Sequence, residues 1–387
     1  MKIIVPFSYY FPEQCAGLTI IDDVLKACAE HGVQSYLYVP TPTRNVPENA
    51  KWQKDDFLCD GMMHVHRFSM YGEGKNSILR ALRYVFCEIV YTYKLIFSDY
   101  DVIFLDSTPP IQGLKIPFVR LFRKRPVIHN VQDLFPDSLS GTGLAKKGGL
   151  LWKIGTWVSK VTLNNSDKII CISEDIKNNL VKEKGVPEEK IEVVYNWVDE
   201  NAVVPVAQED NPFFDEFGIS RDKFHVVYAG NLGNAQNIDV IIDAANVLKK
   251  ENNDVEFLIF GTGGLKDQFV AKVNDLKLDN VKFFPLQPME RVSQVYGLGD
   301  VCVVSCKPGL GGAAMPSKML SIMSAGRAVV ASFDKGELTY ILENHKCGMY
   351  APAGDAETFA EMIKHLSQNR DECKTMGDNA RKLILQK

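Results

Sequence analysis

No stretch of this 387-residue chain holds about 18 uninterrupted apolar residues, so no segment is expected to cross a bilayer as a helix. Charge of one sign is lacking too. With 44 Lys and Arg against 48 Asp and Glu, the formal net charge is -4, which leaves no general basic field to hold nucleic acid. No nucleic-acid partner is expected. The nine cysteines include no CxxC pair and no His-rich spacing beside them. Several, such as Cys171 and Cys302, sit inside apolar runs and read as reduced core thiols of an intracellular protein. The start, MKIIVPFSYYFPEQ, has no long apolar segment followed by a small-residue cleavage site, and Pro6 and Pro12 interrupt it. The expected location is therefore the cytoplasm, free or resting on the inner face of the cell membrane.

Short β-branched and aromatic runs alternate with amphipathic stretches from end to end, the pattern of parallel sheets covered by helices. In the first half the strand candidates are residues 2–6, 35–39, 64–68, 102–105, 127–130, 168–172 and 191–195. Residues 196–223 have turn chemistry and little periodicity, and read as a linker. The pattern then restarts with strands at 225–228, 256–260, 281–284, 301–305, 328–332 and 349–350. This count predicts an α/β protein of two doubly wound domains. The first covers residues 1–200 and the second residues 201–370. A helix over 371–387 is expected to pack back toward domain one.

Ligands of parallel α/β sheets bind at the carboxyl ends of strands, and in domain two three such ends are glycine loops. They are Ala229-Gly230-Asn231-Leu232-Gly233, Gly261-Thr262-Gly263-Gly264, and residues 307–318 with Gly311, Gly312, Pro316, Ser317 and Lys318. Glycine lets a backbone N–H approach a phosphate oxygen with no Cβ in the way, and a following helix points its positive end there. Turn geometry alone also needs glycine, so one loop is weak evidence and three at one sheet edge are stronger. Pro316 suits a first helical position, which places Lys318 in a first turn. There the helix dipole disfavours a cation unless an anion, such as a diphosphate, neutralises it.

In domain one the first strand leads to Gly17, placed to let a backbone amide meet a ligand, and that loop has no GxGxxG fingerprint of a nicotinamide or flavin site. No cofactor is expected. His129 and Asp133 at a later strand end suit contact with sugar hydroxyls or with an attacking acceptor; Asp133 could equally cap the next turn. Asp99-Tyr100-Asp101 has metal-binding DxD spacing but precedes a strand, at the wrong end of the sheet. His64 and His66 share one strand face, an arrangement that suits a metal, but no carboxylate accompanies them. The expectation is ordinary strand surface and no bound metal. The stretches Asn76–Phe97 and Leu114–Arg125 interleave basic with apolar residues, which fits either contact with an anionic membrane or a core helix followed by a solvated basic turn.

Together, the FPEQCAG, VQDLFPDS, ICISEDIKNNLVKEKGVPEEKIEVVYNWVD, YAGNLGNAQNIDVIIDAA, PSKMLSIMSAGRAVVAS and CGMYAPAGDAETFAEMI segments resemble glycosyltransferase family 4 over nearly the whole chain. The resemblance implies the GT-B fold: two Rossmann-like domains facing across a cleft. It also implies that the first domain takes the acceptor and the second the sugar nucleotide, with retaining, metal-independent transfer of an amino or deoxy sugar, UDP-linked by expectation, to a lipid-linked glycan in bacterial surface polysaccharide synthesis, O-antigen or capsule. The family's usual glutamate pair falls here on Ala313 and Ser321, and its Arg and Lys of the first domain-two loop fall on Asn231 and Gln236. Lys318 on the diphosphate and Glu337 on the ribose or sugar then stand as replacements. With His129 and Asp133 they form the candidate catalytic set. A sugar-nucleotide 2-epimerase of the same architecture, or a silent sugar-nucleotide-binding partner of another transferase, are the alternatives.

Overall fold

The computed structural model describes residues 1–13, 17–43, 46–47, 49–72, 77–138, 146–251, 254–313 and 315–386; Cys15 and the expected helix cap Asn76 lie outside them. The chain divides into two compact units, Met1–Pro136 with Lys147–Tyr195, and Asp137–Lys146 with Asn196–Lys387. Among the described residues no helix is long and apolar enough to cross a membrane. All eight described cysteines are free thiols.

Among its described residues the first unit holds eight strands: β1 (Lys2–Pro6), β2 (Gln34–Pro40), β3 (Asp55–Leu58), β4 (Met63–Phe68), β5 (Val102–Leu105), β6 (Val127–Val131), β7 (Lys168–Cys171) and β8 (Ile191–Val193). Their order is β3-β4-β2-β1-β5-β6-β7-β8, parallel except for β3 against β4. Central strands such as β1 are buried on both faces, which is why they read as near-continuous apolar runs. The order reverses between β1 and β5, and such a switch point opens a ligand crevice beyond the strand ends. The loop leaving β1 is held by the buried Glu13 carboxylate, which accepts the N–H of Tyr10 at 3.1 Å and of Thr43 at 2.8 Å. Gly17 caps the helix Leu18–Glu30 with φ +85°, a left-handed conformation that favours glycine.

β3 does not show in the sequence, because Asp-Asp-Phe-Leu has neither alternation nor β-branching. It forms through tertiary contacts. Its residues pair with β4, and the buried Arg67 guanidinium donates to the Gln53 carbonyl at 2.8 Å and to Asp56. The Asp99-Tyr100-Asp101 segment is, as expected, a turn at the amino end of the sheet. Asp101 accepts the Lys2 N–H at 2.8 Å, and Asp99 pairs with the Lys2 ammonium at 2.6 Å.

The second unit has β9 (Phe224–Asn231), β10 (Val255–Thr262), β11 (Val281–Phe284), β12 (Val301–Ser305), β13 (Ala328–Ser332) and β14 (Gly348–Ala351) in the all-parallel order β11-β10-β9-β12-β13-β14. Here the switch point lies between β9 and β12. The last helix, Arg370–Gln386, lies against β13 and the helix Lys318–Ser324 of this second unit. Arg381 fixes it there, donating to the carbonyls of Val203 at 3.1 Å, Ser324 at 2.8 Å and Glu200 at 3.0 Å.

Candidate functional site

Near the carboxyl end of β9 stands Gly230, still paired with Gly261 of β10, with a φ of +141° that only glycine takes without strain. A Cβ there would stand 3.0 Å from the Lys318 Nζ. That ammonium comes from the first turn of the seven-residue helix Lys318–Ser324 and sits 3.9 Å above the centre of the Tyr228 ring. The Tyr228 hydroxyl in turn donates to the Asn231 carbonyl at 2.8 Å. The Lys318 Nζ is fully buried and has no hydrogen-bond partner among the described residues. Burial alone pushes its pKa down to about 7. A buried amine beside a glycine near a strand end, with no hydrogen-bond acceptor among the described residues, has the chemistry to receive an anion. Pro316 lies one residue outside the cap Ser317, not inside the first turn.

The neighbouring glycines divide into two kinds. A Cβ on Gly261 would meet the Gly230 carbonyl at 2.3 Å, and one on Gly263 would meet the Leu232 carbonyl at 2.5 Å, so both are demanded by the packing of one loop on the next. Gly311 is likewise structural: its N–H donates to Asp334 at 2.9 Å, and a Cβ would strike the Asp334 side chain. Gly312 by contrast is exposed with open space around it. Asn231 donates to Gln236 at 3.2 Å, and the pair closes over Gly233, where a Cβ would meet both side chains. The two residues that stand where a basic pair is usual thus satisfy each other. Glu337 opens the helix Glu337–Asn344, Ala313 is buried, and Ser321 lies on the helix that Lys318 starts.

In the first unit, Ser107, His129, Asp133 and Lys184 line one small cavity of about 30 Å³, room for one or two waters. His129 lies on β6 with its Nδ1 buried and unpartnered among the described residues, and burial lowers its pKa to about 4, so it is neutral at pH 7. Loss of solvation in this cavity raises the Asp133 carboxyl as well. The structure therefore brings His129 and Asp133 together, and no described backbone N–H is capped by Asp133.

Sequence reasoning missed Asp106, the residue that follows β5 at the switch point. Its carboxylate accepts from Asn130 at 3.1 Å and from the Thr108 N–H at 3.2 Å. Burial nevertheless lifts its pKa to about 6, with the nearby Asp133 charge adding to the shift. Its position directly after the apolar run Val-Ile-Phe-Leu was the available signal.

The basic stretches of this unit differ from the expectation in one respect. Arg83 is buried and donates to the Thr41 carbonyl at 3.0 Å; Lys115 is buried against Glu88 at 2.7 Å. Both charges are thereby withdrawn from any surface role: Arg83 lies on the side of the helix Ser77–Phe97 that turns inward with Cys87, Tyr91 and Leu95, and Lys115, at the end of the short helix Pro110–Lys115, pairs with Glu88 of that same helix. Its other side exposes Ile78, Leu82, Phe86, Ile89, Tyr93 and Phe97, a continuous stripe at helical spacing. Phe118, Leu121 and Phe122 are exposed on the following basic segment, as are Leu150, Leu151, Ile154 and Trp157 on the helix Leu150–Asn164.

A family model described as Glycosyltransferase Family 4 matches residues 19–202, and one described as Glycosyl transferases group 1 matches residues 209–383. The "Probable glycosyltransferase WbjE" of Pseudomonas aeruginosa is 25% identical over 305 residues, 78% of this chain and 75% of that one. WcaI of Escherichia coli K12, named for colanic acid biosynthesis, is 32% identical over 235 residues, 59% of this chain and 57% of its own. AmsK of Erwinia amylovora, named for amylovoran biosynthesis, is 26% identical over 155 residues, 38% of each. Among solved structures, sucrose-phosphate synthase of Thermosynechococcus elongatus superposes with a TM-score of 0.76 at 17% identity, covering 100% of this chain and 94% of that one. HepE of Anabaena, in complex with UDP-glucose, gives 0.71 at 15%, covering 100% and 95%. At such identities the likeness is one of fold, and the fold is GT-B.

Proposed function

The chain belongs to glycosyltransferase family 4, and on that premise we propose that it moves a sugar from a nucleoside diphosphate to a lipid-linked glycan, with retention and without a metal. One observation carries the donor half of this reading: the buried Lys318 amine beside Gly230, with no hydrogen-bond partner among the described residues. A diphosphate supplies the acceptor atoms that this amine lacks. As the glycosidic bond to phosphate breaks, charge grows on the leaving oxygen, and Lys318 together with the backbone N–H groups near Gly230 and Gly312 stabilises it. In this reading that oxygen also takes the acceptor's proton. UDP is the first nucleotide to try, because a protein of the same fold, HepE, binds it.

His129, neutral at pH 7, and Asp133 supply hydrogen bonds to sugar or acceptor hydroxyls from the first unit. The exposed apolar stripe of Ser77–Phe97, with Leu121, Phe122 and Trp157 on neighbouring elements, rests on the anionic leaflet that holds a lipid-linked acceptor. Lys124, Lys153 and Lys160 are exposed on those same elements and match its charge.

The direct test is release of nucleoside diphosphate from a panel of sugar nucleotides in the presence of lipid-linked acceptor. One donor should be turned over, and Asp133→Asn should lower kcat about a hundredfold while the affinity for UDP stays unchanged. Donor binding without any turnover across the panel would reduce the chain to a sugar-nucleotide-binding partner.

A further inference from the structure

We propose that Asp55, His64 and His66 form a binding site for one divalent transition-metal ion, zinc by preference, on the outer edge of the first unit's sheet. The sequence places the two histidines on one face of β4 but shows no third ligand. The fold brings one from β3. In the antiparallel register Asp55 stands opposite His66, so its carboxylate reaches the face that both imidazoles share. The His64 Nε2 lies 2.8 Å and the His66 Nδ1 2.7 Å from the same Asp55 Oδ1, and all three ligand atoms fall within 4.8 Å of one another.

Two imidazoles and one carboxylate are a borderline donor set suited to zinc, with a water as fourth ligand. Metal–ligand bonds of about 2.0–2.2 Å place tetrahedral ligand atoms about 3.3 Å apart. Each present contact therefore has to open by about half an ångström, which the half-exposed Asp55 side chain permits. The rings are already oriented. Phe57 stacks on His64 with centroids 4.4 Å apart and planes at 12°, and Tyr38 packs edgewise on His66 at 5.6 Å.

The site stands apart from the sugar-nucleotide machinery, with β2 and β1 between it and β5, so its effect is on the fold of the edge. β3 is a four-residue strand that, among the described strands, pairs with β4 alone. Arg67 of β4 grips the Gln53 carbonyl at 2.8 Å and the Phe11 carbonyl at 2.8 Å, while the ion fastens Asp55 to the other face of β4. Metal occupancy thereby stiffens the hairpin and, through Arg67, the loop that leaves β1.

The test uses the full chain, freed of any purification tag and stripped with a chelator, then titrated with zinc sulfate. One ion per chain should bind, and zinc at a hundredfold excess over its Kd should raise the unfolding midpoint by about 5 °C or more. Asp55→Asn and the pair His64→Gln with His66→Gln should each weaken binding at least tenfold. Because the paired variant removes hairpin contacts, a second measurement uses the unaltered protein. Zinc should protect His64 and His66 from acylation by diethyl pyrocarbonate, read by peptide mass spectrometry, while the exposed His31, His345 and His365 react as before. Equal reaction of all five with and without zinc, or undiminished affinity in Asp55→Asn, would overturn the proposal.

Discussion

Replacing Lys318 by methionine weakens binding of a nucleoside diphosphate by tenfold to a few hundredfold, and in the same variant the ligand-free protein becomes more stable. The first effect follows from loss of charge-assisted hydrogen bonds, worth about 1.5–3 kcal/mol. The second follows from removing a buried donor group that has no hydrogen-bond partner among the described residues, a group that costs about 1–3 kcal/mol to bury. Calorimetric titration with UDP and a thermal melt of the same preparation read both signs at once. A lysine that merely braced the fold would move the two together, losing stability as well as affinity.

The second large effect concerns the membrane. Phe86→Glu with Ile89→Glu should weaken binding to vesicles of anionic phospholipid about a hundredfold or more, and leave turnover of a water-soluble acceptor analogue intact. Both side chains are exposed on the stripe of Ser77–Phe97, so the substitutions disturb no core packing. Two large apolar side chains transferred to the interface contribute about 3 kcal/mol or more together, and each new carboxylate also repels the anionic surface. Flotation of the variant and the unaltered protein together measures the difference. Equal flotation would assign the stripe to some other partner.

How far these readings were legible beforehand differs from residue to residue. The strands that carry Gly230 and His129 were visible because parallel strands are buried on both faces and announce themselves as apolar runs, although both strands run further than the sequence shows and keep these two residues inside them. Gly261, Gly263 and Gly311 looked the same as Gly230 in sequence. Only the packing shows that their missing Cβ makes room for Leu232, Gly230 or Asp334. β3 and the contact of Asp55 with two histidines were invisible, since a four-residue edge strand with two acids has no periodicity of its own and is created by its partner. The same limit applied to charge. Lys115 reads as a surface cation until Glu88, twenty-seven residues away, is found beside it, a separation the folded chain alone closes.

With a pKa of about 7, the buried Lys318 amine is mostly neutral at pH 7.5, and in the proposed site it becomes a full cation when a diphosphate binds. The free pKa of about 7 is depressed from 10.5, and a bound anion raises it again, so binding must draw a proton from solvent. At pH 7.5 the phosphate is already ionised, its second pKa being about 6, and adds little to the proton balance. Calorimetry of UDP binding at pH 7.5, run in two buffers of different ionisation enthalpy, counts those protons. The prediction is an uptake of about 0.8 proton per UDP, absent in Lys318→Met; zero uptake with unimpaired binding would contradict the placement of Lys318 on the diphosphate.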